Sequence, residues 1–217
     1  MNPEHIAAFR STGFFIVPAF LDREDRVGIR HACDAALDRA RASFVETGAS
    51  TPRISVFDVE PALAFLGQPR VTRLLFTLQH ATESDVPRLK DVHYYHEQEG
   101  RDWDGDWHRD SQFSRAVLAD PESERAIVRS HTAVHVRVAF EPDDRLEIVP
   151  GSHARWDTPE ELRIRRGARR ASSEMPNATR IVLSPGDACV FHAYSVHRAT
   201  YRQKPLRRTL DALFAFH

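Results

Sequence analysis

Only two cysteines, Cys33 and Cys189, occur in this 217-residue chain, far apart and in no Cys-x-x-Cys pair. That argues against a disulfide scaffold and against a thiolate zinc site, so both read as buried apolar filler. Long hydrophobic runs are missing too. No stretch approaches the ~20 apolar residues that a membrane helix needs. The start, MNPEHIAAFRSTGFF, lacks a basic region followed by a long apolar run. A cytoplasmic protein without membrane contact is the expectation. Nor is there an excess of one charge: 30 Lys+Arg against 31 Asp+Glu give a formal net charge of −1. Nothing there calls for nucleic acid or an anionic surface as partner. With no internal repeat, low-complexity linker or heptad, one domain over residues 1–217 is expected. The oligomeric state stays open.

What is present is ordinary for a folded domain: 41% hydrophobic and 28% charged residues. Residues 1–86 read as mostly helical support. Pro3–Arg10 is a short helix, Gly13–Val17 a strand, and Asp22–Phe44 a longer helix with Asp22 as N-cap. Gly48, Ser50 and Pro52 mark a loop, and Pro61–Leu66 and Pro69–His80 are two more helices. Residues 87–217 change texture. Leu89–His96, Ala126–Phe140, Arg145–Val149, Ile181–Ser184, Ala188–His192 and Arg208–Phe216 suit strands. Helices first and strands after, without regular alternation, suggest an antiparallel sandwich braced by helices. Ala154–Pro176, with RIRRGARR at Arg163–Arg170, reads as a lid, a patch for an anionic group, or a solvated loop.

His108-Arg109-Asp110 carries the chemistry. On a strand, residues i and i+2 point the same way, so an imidazole and a carboxylate can reach one metal ion. With 12 histidines and 17 aspartates in the chain, about one His-x-Asp is expected by chance, so the weight rests on its company. Ser184-Pro185-Gly186-Asp187 is a tight turn. A strand follows, then His197, then Arg208 eleven residues later. Two histidines and a carboxylate on one face of an octahedron leave three positions open, the arrangement of iron(II) oxygenases. A chelating co-substrate takes two and dioxygen the third, and the residual positive charge suits an anionic keto acid. Arg208 leads an apolar strand face with Leu210, Ala212, Phe214 and Phe216, where burial is costly without an anion. A bidentate carboxylate would satisfy it. Arg207 points the opposite way and is the weaker candidate.

These pieces, in this order, resemble the phytanoyl-CoA dioxygenase family. The stretch GFFIVPAFL (Gly13–Leu21), Trp107-His108-Arg109-Asp110, LEIVPGSH (Leu146–His153), Pro185-Gly186-Asp187, Val190-Phe191-His192, His197 and Arg208 carry the likeness over almost the whole chain. The resemblance implies a double-stranded β-helix (jelly-roll) oxygenase. It implies iron(II) on His108, Asp110 and His197, 2-oxoglutarate with its far carboxylate on Arg208, and O2 as the oxidant. The chain departs from the family at Ala199, where some members carry a small hydroxyl residue that helps hold the co-substrate. It departs again at Asp144-Arg145-Leu146, where a small residue is common. A carboxylate at Asp110 is what related halogenases lack, so hydroxylation of a C–H bond in a small polar metabolite is expected, with desaturation, cyclisation and C–N cleavage as related outcomes.

Other residues stay open at this point. His93 and Tyr95 share one face of the strand expected beside the site and are candidates for co-substrate binding; Tyr94 and His96 share the other. His131 and His135 have the spacing of a helical zinc pair but lie in a strand-like Val134/Val136/Val138 alternation, which favours packing or support. His192 is the rival third ligand, Pro150–His153 shapes the rim, and Trp103 and Trp107 either wall the pocket or pack. Two other readings remain: a jelly-roll metal enzyme that does not use 2-oxoglutarate, and a non-catalytic small-molecule-binding jelly-roll.

Overall fold

The computed structural model describes residues 3–47, 53–82, 86–96, 102–130, 132–203 and 206–216. The expected loop at Gly48, Ser50 and Pro52 lies outside the described residues, as does His131. The helices are α1 (Pro3–Thr12), α2 (Arg23–Thr47), α3 (Glu60–Leu66), α4 (Pro69–Thr82), α5 (Arg115–Ala119), α6 (Glu124–Ser130) and α7 (Pro159–Arg165). The strands are β1 (Phe14–Val17), β2 (Arg53–Ser55), β3 (Pro87–Tyr95), β4 (Trp103–Asp104), β5 (Thr132–Ala139), β6 (Asp143–Ile148), β7 (Thr179–Leu183), β8 (Ala188–His192), β9 (His197–Tyr201) and β10 (Thr209–Phe216). Among the described residues no helix is long and apolar enough to cross a membrane.

The strands form two antiparallel sheets, a six-stranded one in the order β1-β8-β5-β10-β3-β2 and a four-stranded one in the order β4-β9-β6-β7. This is the helix-braced jelly-roll expected from the sequence. Strand alternation decides what lies on each side. Val134, Val136 and Val138 on β5, and Leu210, Ala212, Phe214 and Phe216 on β10, face outward and merge with Ile29, Cys33, Leu37, Phe65 and Leu78 of the helices. The opposite face meets the smaller sheet. There Ala139, Cys189 and Phe191 pack on Leu146, Ile148, Ile181 and Leu183. Both cysteines are buried fillers, and burial pushes each thiol up to about 12.

Two expectations change. The strand expected over Ala126–Phe140 is a helix for Glu124–Ser130, and only Thr132–Ala139 is extended. Glu124 and Val128, four apart, are the buried face of that helix. Within the arginine-rich segment, Pro159–Arg165 is a helix with a complete capping box between Thr158 and Glu161. Its Ile164 and Arg165 are buried, so this part is neither a lid nor a solvated loop.

Candidate metal centre

His108 and His197 face each other across an isolated antiparallel bridge, each backbone N–H donating to the other's carbonyl at 2.9 Å. The chain before His108 reaches this position by crossing β9 closely. Gly105 N–H donates to Ala199 O at 2.8 Å, and a Cβ on Gly105 would meet that oxygen at 2.5 Å, so a residue without a side chain is required. The structure differs from the expected strand at Asp110, which opens a 3-10 turn, Asp110–Phe113. Arg109 is still extended (φ −117°, ψ 141°), so the alternation survives for the one step that matters. His108 and Asp110 share a side, and Arg109 points away.

One ligand-capable atom from each of His108, Asp110 and His197 lies within 4.8 Å of the others. Asp110 Oδ1 is 3.4 Å from His108 Nε2 and 3.6 Å from His197 Nε2. The Nδ1 atoms are engaged elsewhere: His108 Nδ1 is 2.7 Å from Asp106 O, and His197 Nδ1 is 2.9 Å from Ser195 O. A carbonyl only accepts, so each Nδ1 carries the proton and each Nε2 turns a lone pair to the common point. Burial, helped by the neighbouring His108, pushes His197 down to about 3 and keeps it neutral, as ligation requires. Burial opposes ionisation of Asp110, but the neighbouring His108 and the hydrogen bond from His135 outweigh it and hold the carboxyl well below its usual range. Two imidazoles, one carboxylate and no thiolate suit iron(II) with open positions.

The second oxygen of Asp110 is held by a chain that the sequence did not reveal. His135 Nε2 lies 2.7 Å from Asp110 Oδ2, and His135 Nδ1 lies 2.5 Å from Asp211 Oδ1. Arg137 Nε donates to Asp211 Oδ2 at 2.6 Å. Burial works to lower the His135 pKa, but the Asp211 charge and the bonds to both carboxylates hold it up at about 9. The sequence carries a signal for this chain, since His135 and Arg137 are the polar members of an otherwise apolar alternation on β5. Their partner Asp211, far along the chain, has no local signature.

Arg208 and Arg207 fall on opposite sides of the strand, the reverse of the expected assignment. The Arg208 face, with Leu210 to Phe216, packs on the helices, and the anion that compensates Arg208 is Asp34 of α2, at 2.9 Å from Nε. Arg207 lies between the sheets, 2% exposed, with its guanidinium over Tyr95 at 4.8 Å and Tyr201 at 5.7 Å. Its one ion-pair partner among the described residues is Asp143, at 3.5 Å, and none of its three nitrogens has a hydrogen-bond acceptor there. Arg137 NH1 is likewise buried without a hydrogen-bond partner among the described residues. His93 and Tyr95 share the inner side, opposite Asp211 and Thr209 in the β3–β10 register. The Tyr95 hydroxyl accepts from Arg53 at 3.1 Å.

The remaining candidates serve as supports. Ser152, in the Pro150–His153 turn, accepts from Val196 N at 2.8 Å and so fixes the approach to His197. His153 and His192 lie against Phe9 of α1, away from the ligand atoms. Trp107 is buried, its indole N–H bonded to Ser173 O at 2.9 Å, while Trp103 stacks on Tyr201. Arg109 donates to Asp157 at 2.8 and 2.6 Å, and Arg165 of α7 bonds both Asp157 and Glu124. A buried ionic cluster therefore ties the metal loop to the arginine-rich segment. Elsewhere Arg170 pairs with Asp106, Arg163 with Glu160, and Arg202 with Asp104, so these charges neutralise one another in pairs. The side chains of His108 and Asp110 remain 23% and 21% exposed, and the cluster opens to solvent beside Phe113, itself 60% exposed.

A jelly-roll carrying this donor set defines a non-heme iron(II) oxygenase. The family model for phytanoyl-CoA dioxygenase matches residues 9–204, and the chain belongs to that family. It is an enzyme class that uses iron(II), 2-oxoglutarate and O2. Solved structures share the fold at low identity. EvdO2 from Micromonospora carbonacea var. aurantiaca, complexed with 2-oxoglutarate, is 16% identical over 100% of this chain and 91% of its own, with a TM-score of 0.67. EctD from S. alaskensis with bound Fe is 15% identical over 99% and 76%, with a TM-score of 0.68. The α-ketoglutarate-dependent epimerase SnoN from nogalamycin biosynthesis is 18% identical over 97% and 81%, with a TM-score of 0.63. Comparison with curated proteins gave no match.

Proposed function

We propose that this chain, acting as one domain, holds iron(II) with His108, Asp110 and His197 and hydroxylates a C–H bond of a small polar metabolite. Bound iron(II) with 2-oxoglutarate and dioxygen supplies the oxidation, leaving succinate and CO2. The observation that carries the reading is the convergence of His108 Nε2, His197 Nε2 and Asp110 Oδ1, with both Nδ1 atoms occupied by carbonyls. The far carboxylate of 2-oxoglutarate is assigned to Arg207 in place of Arg208. The support is a buried guanidinium between the sheets whose N–H groups lack acceptors among the described residues, a costly state that an anion relieves. Arg137 NH1 and Tyr95 line the same space, and His93 faces the same way nearer to Asp211.

The protein's part is positioning. Carbonyl-locked imidazoles need no reorganisation to ligate, and a two-sheet interior closed by Phe191, Leu146 and Ile148 keeps water from the buried end. A polar substrate is favoured by the polar inner residues of β3, and hydroxylation by the carboxylate ligand. Anaerobic protein with one equivalent of iron(II) is titrated with 2-oxoglutarate while the visible spectrum is recorded, beside His108→Ala. A charge-transfer band that saturates in wild type and is lost in His108→Ala supports the reading. Iron uptake without a band replaces it with a jelly-roll metal enzyme that does not use 2-oxoglutarate.

A further inference from the structure

Asp110 offers two oxygens, and the chemistry has room for one. An octahedral ion with two imidazoles, a two-atom chelator and dioxygen has a single position left for the carboxylate. Chelation by both oxygens would close a position that the reaction needs. The two oxygens are already distinguished. Oδ1 faces the histidines, at 3.4 and 3.6 Å, while Oδ2 lies 2.7 Å from His135 Nε2. A charge-assisted hydrogen bond of this length holds an oxygen firmly.

His135 is itself fixed on every side. Its Nδ1 is 2.5 Å from Asp211 Oδ1, and its ring stacks on Phe191 with centroids 4.6 Å apart and planes 11° apart. Asp211, 3% exposed, is held from beyond by Arg137. Rotating the imidazole away from Asp110 would also strip a buried carboxylate of a partner, which is costly.

We propose that His135 is a positioning residue that restricts Asp110 to ligation through one oxygen, with Asp211 fixing the orientation of its ring. The proposal rests on the iron reading above. It accounts for two polar residues, His135 and Asp211, that touch no metal and would otherwise weaken a well-packed sheet.

The test uses two polar replacements of different reach. The amide nitrogen of glutamine overlays imidazole Nε2, and that of asparagine overlays Nδ1. The full-length wild type, His135→Gln and His135→Asn are titrated anaerobically with iron(II), and separately with cobalt(II), whose d–d absorption reports coordination number. His135→Gln is expected to keep the wild-type cobalt spectrum and an iron(II) affinity within about threefold, whereas His135→Asn changes the spectrum and weakens iron(II) about tenfold or more. Equal behaviour of the two variants, whether both match wild type or both lose metal, overturns the proposal while leaving the iron site in place. A wild type that binds neither metal overturns the functional reading as well. The wild type gives a reading independent of any variant. In histidine-15N spectra of the zinc form, His135 Nε2 is expected to carry a hydrogen-bonded proton, and a bare or metal-bound Nε2 contradicts the proposal.

Discussion

Arg207 and Arg208 are neighbours in the chain and are buried on opposite sides of one sheet. Arg208 donates to Asp34 on the helical side at 2.9 Å, and Arg207 lies between the sheets 3.5 Å from Asp143. The two positions call for different partners. On the helical side the anion is supplied by the chain. Between the sheets, Asp143 already accepts from Thr209 at 3.0 Å and from Arg145 N at 3.0 Å, and the guanidinium N–H groups of Arg207 have no hydrogen-bond acceptor among the described residues.

The Asp34 carboxylate is therefore a structural group. Its Oδ1 accepts from both Arg208 Nε, at 2.9 Å, and the Tyr94 hydroxyl, at 2.8 Å. Asp34→Ala should destabilise the fold by about 1–3 kcal/mol, since it strands donors of two buried residues. Urea unfolding of the metal-free protein measures this, and the binding of 2-oxoglutarate to the folded, iron-loaded variant should be unchanged.

The ionic cluster beneath the metal loop makes a sharper stability prediction. Arg165 and Glu124 are each 1% exposed, and Arg109 and Asp157 are fully buried. Removing one member leaves an uncompensated buried charge, so Glu124→Ala should cost about 3–5 kcal/mol. Glu124→Met combined with Arg165→Met should recover part of that loss. Denaturation midpoints of the single and double variants decide it.

Acid sensitivity should carry a histidine component above the carboxylate range. Burial, with His153 and Arg109 nearby, pushes His192 down to about 3 from 6.5. Above pH 6.5 neither the folded nor the unfolded chain protonates it. Below that, the unfolded chain takes up a proton that the folded one refuses. Its contribution is therefore intact above pH 6.5 and lost progressively as pH falls towards 3. Between pH 6 and 5, His192→Gln should reduce the slope of stability against pH by about 1 kcal/mol per pH unit in the metal-free protein.

Much of this is legible in the sequence, for identifiable reasons. The first four helices and the strands at Ala188–His192 and Thr209–Phe216 carry strong local patterns, and the grouping of His108, Asp110 and His197 is a matter of residue type and spacing. The side of β10 that meets the interior was not legible. Alternation separates Arg207 from Arg208, but both faces of this central strand are buried, so parity alone cannot name the inner one. The helix at Pro159–Arg165 was not read, because its capping pair, Thr158 and Glu161, sits in a run whose arginines suggested exposure. The link from His135 to Asp211 joins residues 76 positions apart and exists only once β5 lies beside β10.

The most direct measurement is the anaerobic 2-oxoglutarate titration of the iron(II) protein, run on wild type, Arg207→Ala and Arg208→Ala together. The account predicts a saturable charge-transfer band in wild type and in Arg208→Ala. In Arg207→Ala it predicts affinity weakened by about tenfold to a hundredfold, the loss expected for a buried charge-assisted pair. The reverse pattern, with Arg208→Ala impaired and Arg207→Ala unaffected, would contradict the assignment of the co-substrate to the space between the sheets.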